Sequence, residues 1–260
     1  MTYNVQVGNG GYLGWKLLER TLDTQKSAFG KSPELQISRD YFVENISKVN
    51  SAEDLVKNYK LLNVALRAFG LDDDLNNKFF IRKILESDPK DEASLVNRLP
   101  DKRYAKLNAA FAFWKKPDEA ADKMPAETIM DMYTQRSFEK NIGQQHQEIE
   151  LALNAKRELA EIANSAVSND TKWLQIIGSK PLRKVFEGAF GLGQSFASLQ
   201  IDRQLSEFKA RADRMMGSAD IGQFADSDNV EKLTKHYLLR NQIAAAGVSS
   251  RFSIALTLLS

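Results

Sequence analysis

Cysteine is absent from all 260 residues, which excludes disulfides, thiolate metal sites and a cysteine nucleophile. Histidine is almost as scarce. His146 and His236 are the only two, and neither has a second histidine or a carboxylate at dependable ligand spacing, so each is expected at the edge of the core as a hydrogen-bonded residue. An excess of one charge is missing too. The 36 basic and 34 acidic residues leave a formal net charge of +2, which gives no electrostatic footprint for nucleic acid or an acidic membrane. No apolar run approaches the ~20 residues of a membrane-spanning helix, and the most apolar end, Phe252–Leu259, is far too short. The start, Met1–Val7, lacks the basic and apolar segments of a secretory signal. These absences predict a cytoplasmic protein without membrane insertion and without a nucleic-acid partner.

What is present is an ordinary globular composition, 43% hydrophobic and 27% charged, and a phrase used twice. Ala68-Phe69-Gly70-Leu71 recurs as Ala189-Phe190-Gly191-Leu192. Downstream, Leu75 echoes in Phe196, Arg82 in Arg203 and Ile84 in Leu205. Self-similarity at this distance predicts two related helical units from a degenerate duplication. Each glycine is expected to end a helix in the left-handed C′ conformation, with the following leucine folded back on the last turn. Gly70 and Gly191 are therefore assigned structural roles.

Apolar periodicity is helical nearly throughout, which predicts an all-α, multihelical fold. Ser51-Ala52-Glu53-Asp54 reads as a capping box opening a helix whose buried face is Leu55, Tyr59, Leu62, Leu66 and Phe69. The next helix is expected from Asp72 with Leu75, Phe79, Arg82 and Leu85 in line, and another from Asp101 with Tyr104, Leu107, Phe111 and Trp114. A long helical stretch from Ala126 to Ala166 should break in the polar interval Gly143–Gln147. Further helices are expected at Asp170–Ile177, Pro181–Phe190, Ile201–Met216 and Asp228–Ala246. Only residues 3–7 and 252–258 have any strand alternation. The expected organisation is a flexible arm (1–13), a first helical subdomain (14–116), a Lys/Pro/Asp-rich linker (117–125), a second subdomain (126–246) and an apolar tail (247–260).

Several motifs suggest chemistry, and each has a plainer explanation. Gly8, Gly10, Gly11 and Gly14 between residues 3–7 and an amphipathic run resemble a phosphate loop, but the spacing departs from the dinucleotide fingerprint and no second strand follows. Asp72-Asp73-Asp74-Leu75-Asn76 starts like a calcium loop, yet Asn77 and Lys83 stand where glycine and glutamate are required. Acidic residues at a helix start already have a reason to be there. No serine sits in a nucleophile elbow, and the basic cluster Lys180, Arg183, Lys184 lacks supporting aromatics. No catalytic residue, cofactor or metal ligand is assigned. Arg82 and Arg203 are assigned structural roles: each is expected to be partly buried, its stem on the core and its guanidinium on a helix-terminal carbonyl or a carboxylate.

A family resemblance rests on longer stretches. Tyr41-Phe42-Val43-Glu44-Asn45-Ile46, Ser51–Leu55, Ala68–Asp74 and Leu99-Pro100-Asp101 in the first half carry it. In the second half it rests on Leu151–Asn154, Arg157-Glu158-Leu159, Pro181–Phe186 and Ile201-Asp202-Arg203-Gln204-Leu205. Over about residues 12–246 the chain resembles an uncharacterised, all-helical domain-of-unknown-function family of alphaproteobacteria, often encoded among flagellar genes. The resemblance implies a non-enzymatic interaction protein, an accessory or structural factor of flagellar assembly or motility with flagellar components as protein partners. It leaves association with, or export through, the flagellar apparatus open, and it transfers no site residue. The alternatives are a helical enzyme with a carboxylate-based site and a regulatory nucleic-acid binder.

Overall fold

A computed structural model describes residues 3–115 and 123–259, with side chains through residue 246 except that of Gln194. It contains thirteen α-helices and no strand among the described residues. The fold is all-α and multihelical. The chain forms two compact units, one of Met1–Val5 with Leu22–Asn141 and one of Gln6–Thr21 with Ile142–Ser260. The division falls inside the first helix and before Ile142, so residues 126–141 join the first unit rather than the second. Of the expected 117–125 linker, residues 117–122 lie outside the described residues.

The first unit takes the second part of α1 (Gly11–Gly30), then α2 (Pro33–Ile46), α3 (Ala52–Lys57) and α4 (Tyr59–Ala68), followed by a 3-10 turn at Asp72–Asp74. Next come α5 (Lys78–Glu86), α6 (Leu95–Arg98), α7 (Arg103–Phe111) and most of α8 (Ala126–Gly143). Ser51 caps α3 as its sequence requires, its hydroxyl accepting the Asp54 N–H at 3.1 Å. The single helix expected from Ser51 to Phe69 is two helices. Asn58 leaves the helical region, and its side-chain oxygen accepts the Leu61 N–H at 3.2 Å, so a second cap interrupts the periodic stripe. Tyr59, just past the break, is 58% exposed instead of buried. The next helix also starts later than expected, at Lys78, and its buried face is Ile81, Ile84 and Leu85, with Phe79 exposed. Asn108 on α7 donates to the carbonyls of Ile84 (2.7 Å) and Ser87 (2.9 Å), tying α7 to the end of α5.

The second unit holds the start of α1, α9 (Gln147–Asn164), α10 (Asn169–Gly178), α11 (Lys180–Phe190), α12 (Ile201–Met216) and α13 (Ser227–Leu259). The break between α8 and α9 falls in the polar interval anticipated for it. In α11, Leu182, Val185, Phe186, Ala189 and Phe190 are all buried, the repeating stripe of a core-facing helix. Phe186 and Phe208 centre an aromatic cluster with Trp173, Phe190, Phe196 and Phe224, their neighbouring ring centroids 5.0 to 6.1 Å apart. Asn169 holds the loop below, donating to the Ala219 carbonyl and accepting the Ile221 N–H.

Neither strand expectation survives. Residues 3–7 are irregular, and 252–258 continue α13. The expected flexible arm has packed anchors, since Val5 and Val7 are buried. In the first unit the Val5 N–H donates to Asn141 Oδ1 at 3.0 Å, and Tyr3 stands edge-on to Phe29.

Candidate functional site

The repeated phrase makes the same turn in each unit. After α4, Gly70 takes φ +70°, its N–H donates to the Arg67 carbonyl at 2.9 Å, and the Leu71 N–H donates to the Leu66 carbonyl at 2.8 Å. After α11, Gly191 takes φ +65°, its N–H donates to the Gly188 carbonyl at 3.2 Å, and the Leu192 N–H donates to the Glu187 carbonyl at 2.8 Å. Both are Schellman turns, in which a left-handed glycine lets two amides return to carbonyls that the helix leaves unpaired.

Each corner also collects guanidinium groups, drawn to the negative end of the helix. A side chain at Gly70 would stand 3.1 Å from Arg136 Cζ, and one at Gly191 would run into Arg240 Nη1. Arg103 Nη1 donates to the Gly70 carbonyl, while its other nitrogens grip Asp101, Nη2 at 2.7 Å and Nε at 3.0 Å. Arg211 Nη1 reaches the Phe190 carbonyl at only 3.5 Å and pairs through Nε with Glu207 at 2.8 Å.

These are not the arginines the sequence echo selected. Arg82 is partly buried, with Nε 3.2 Å from Glu86 and a more distant approach to Glu53, but it serves α5 and α3 rather than the corner. Arg203 is a correction. It is exposed and makes no ion pair among the described residues. It lies in the first turn of α12, where free carbonyls are absent, and the buried position beside it belongs to Gln204, which donates to the Leu199 carbonyl at 2.7 Å.

The glycine-rich start is filled by the protein itself. The Gly11 N–H, at the head of α1, donates to Glu148 Oε1 at 3.1 Å, and His146 Nδ1 lies 3.5 Å from the same oxygen. The carboxylate takes the place that a phosphate would take in a nucleotide loop. Gly14 is required because a side chain there would meet the Val7 carbonyl. The acidic run is committed as well: Asp72 pairs with Arg67 Nε at 2.5 Å, and Asp74 accepts the Tyr104 hydroxyl at 2.6 Å. No group of three or more potential metal ligands occurs among the described residues. Burial and then Asp74 push the Tyr104 hydroxyl well above its ordinary range, and burial with the Glu148 charge does the same to Tyr237. Burial also raises the Glu187 carboxyl against the pull of Arg183 and Lys184. His236 is held below its ordinary value by burial and by Lys232, Arg240 and Lys235.

Helix α13 is buried along its inner face only as far as Leu238. Leu233, Thr234, Tyr237 and Leu238 bury its inner face, and Gln242 lies against Gly11. Beyond Leu238 every described side chain is exposed; Ile243 is 72% exposed. The backbone stays helical to Leu259. The side chains of the apolar tail expected at 247–260 lie outside the described residues. No helix is long and apolar enough to cross a membrane among the described residues.

Fold and surface together define a multihelical all-α protein of two compact units, each turning a helix on an arginine-lined glycine corner. The chain belongs to the family described as "Protein of unknown function (DUF1217)", whose model matches residues 68–230 and so takes in both corners. The crystal structure of protein AGR_C_984 from Agrobacterium tumefaciens is similar, with a TM-score of 0.74 and 23% identity over 90% of this chain and 94% of that one. At that identity the likeness shows a shared fold. No curated protein matches.

Proposed function

We propose that this chain is a non-enzymatic helical interaction protein, an accessory or structural factor of bacterial flagellar assembly or motility acting from the cytoplasm. The observation that carries the interaction role is α13: its inner face is anchored through Leu238, whereas its described side chains from Leu239 to Ala246 are exposed while the helix runs on to Leu259. Exposed apolar side chains such as Leu239 and Ile243, on a helix that continues past its buried face, are what docking on a partner uses. The flagellar part rests on the family resemblance read from the sequence. Internal duplication belongs to the same reading and is supported by the paired Schellman turns.

The test is a clean deletion scored for swimming, with affinity capture from motile cells using the full chain and a chain ending at Ala246. Loss of swimming and recovery of flagellar components by the full chain alone are expected. Wild-type swimming, with no flagellar component captured, would contradict the proposal.

A further inference from the structure

We infer that the first unit holds a binding site for a small amphipathic carboxylate, an acid with a short alkyl or aryl tail. A cavity of about 200 Å³ lies where the end of α2, the end of α7 and the start of α8 meet. Most of the side chains lining it are apolar: Val49, Phe111 and Ile129 are buried, and Phe113 and Met124 close the sides. An apolar cavity of roughly 150 Å³ admits benzene, so this one has room for a short tail. It is partly open, and the two polar side chains lining it are the exposed Ser47 hydroxyl and the exposed Lys123 ammonium. Mostly apolar walls with a few polar groups at the mouth are the usual makings of a small-molecule site.

The end of α7 shapes this wall. Ala112 is the one non-glycine residue with positive φ among the described residues, at +48°. It caps the helix in the left-handed conformation, its N–H donating to the Asn108 carbonyl at 2.9 Å. Here the turn follows α7 directly and stacks the Phe111 and Phe113 rings at 5.7 Å, only 15° from parallel, on the cavity. The Met124 N–H, donating to the Ala110 carbonyl at 2.8 Å, pins the returning chain against the same wall.

Charge selects the head group. Lys123 Nζ lies 5.2 Å from the Phe113 ring centroid and makes no ion pair among the described residues. An ammonium at an apolar mouth favours an anion there, and a carboxylate on a short tail satisfies both halves of the site.

The test titrates the full chain calorimetrically with octanoate, with octanol as the uncharged tail and with acetate as the tailless head. Saturable one-to-one binding of octanoate is expected, with octanol about tenfold weaker and acetate giving no heat. Lys123→Gln should bring octanoate down to the affinity of octanol, and Lys123→Arg should largely retain it. Ala126→Leu, which fills the cavity from its rim, should abolish binding of both; Ala110→Leu is the second filling variant should the first fail to fold. Absence of saturable octanoate binding, retention of it in a folded cavity-filled variant, or equal binding of octanoate and octanol would each overturn the inference.

Discussion

The corners at Gly70 and Gly191 have the same backbone and different support. At Gly70 the guanidinium groups are well covered: the side chains of Arg136 and Arg103 are 15% and 19% exposed, and charge pairs run from Arg103 to Asp101 and from Arg67 to Asp72. At Gly191 the corresponding groups are looser. Arg240 is an exposed residue, and Arg211 reaches its carbonyl at 3.5 Å. What holds the second corner is the aromatic cluster beneath it, where Phe186 and Phe190 of the ending helix pack on Phe208. One turn motif is thus fixed by charge-assisted hydrogen bonds in one unit and by ring packing in the other.

The largest expected effect falls on the rings. Phe208→Ala should cost about 3–5 kcal/mol, as for other buried Phe to Ala changes, because Phe208 meets four aromatic neighbours. Denaturant unfolding measures it, and a loss below 1 kcal/mol would remove the aromatic half of the comparison. Next are the glycines. Alanine in the left-handed region costs about 1–2 kcal/mol, so Gly70→Ala should lower stability by about that much. Gly191→Ala should cost no more, since its methyl meets only the far end of the exposed Arg240 side chain, whereas at Gly70 it also crowds the well-covered Arg136; a clearly larger loss at Gly191 would break the account of the two corners.

The arginines sharpen the contrast at a smaller scale. Arg103→Ala should cost about 1–2 kcal/mol through a lost hydrogen bond and an unpaired Asp101 carboxylate, and Arg211→Ala clearly less. Arg203→Ala should stay within about 0.5 kcal/mol in thermal melts, as an exposed position does. The smallest effect is in pH. His236 has a folded pKa below its ordinary 6.5, so the unfolded chain binds more protons between the two values. Its contribution to stability is complete above about pH 6.5 and declines as pH falls toward the folded value. His236→Gln should flatten that slope in melts between pH 7 and 5; an unchanged slope would exclude His236 as its source.

Much of this was legible in the sequence, because it depends on neighbours along the chain. The Ser51 cap, the glycine stops and the break near Gly143 are local devices, and Ile201–Met216 begins and ends where its pattern does. The break at Asn58 was not legible, because its competition with the helix is hidden inside an unbroken apolar period. The guanidinium groups at the corners were not legible. Arg136 and Arg240 reach Gly70 and Gly191 from helices far along the chain, and the 121-residue echo pointed instead to Arg82 and Arg203. The glycine-rich start likewise gave no hint that Glu148, 137 positions on, fills it. Polar partners brought together by tertiary packing leave little periodic trace.

Native-state amide exchange at Leu71 and Leu192, the two residues whose N–H groups close the corners, tests the contrast most directly. In Arg103→Met the account predicts faster exchange at Leu71 by about tenfold, the equivalent of 1.4 kcal/mol, with Leu192 unchanged. In Phe208→Leu it predicts the opposite pattern. Equal acceleration of both amides in both variants, or Leu192 responding to Arg103→Met while Leu71 does not, would contradict the claim that one turn is held by charge and the other by aromatic packing.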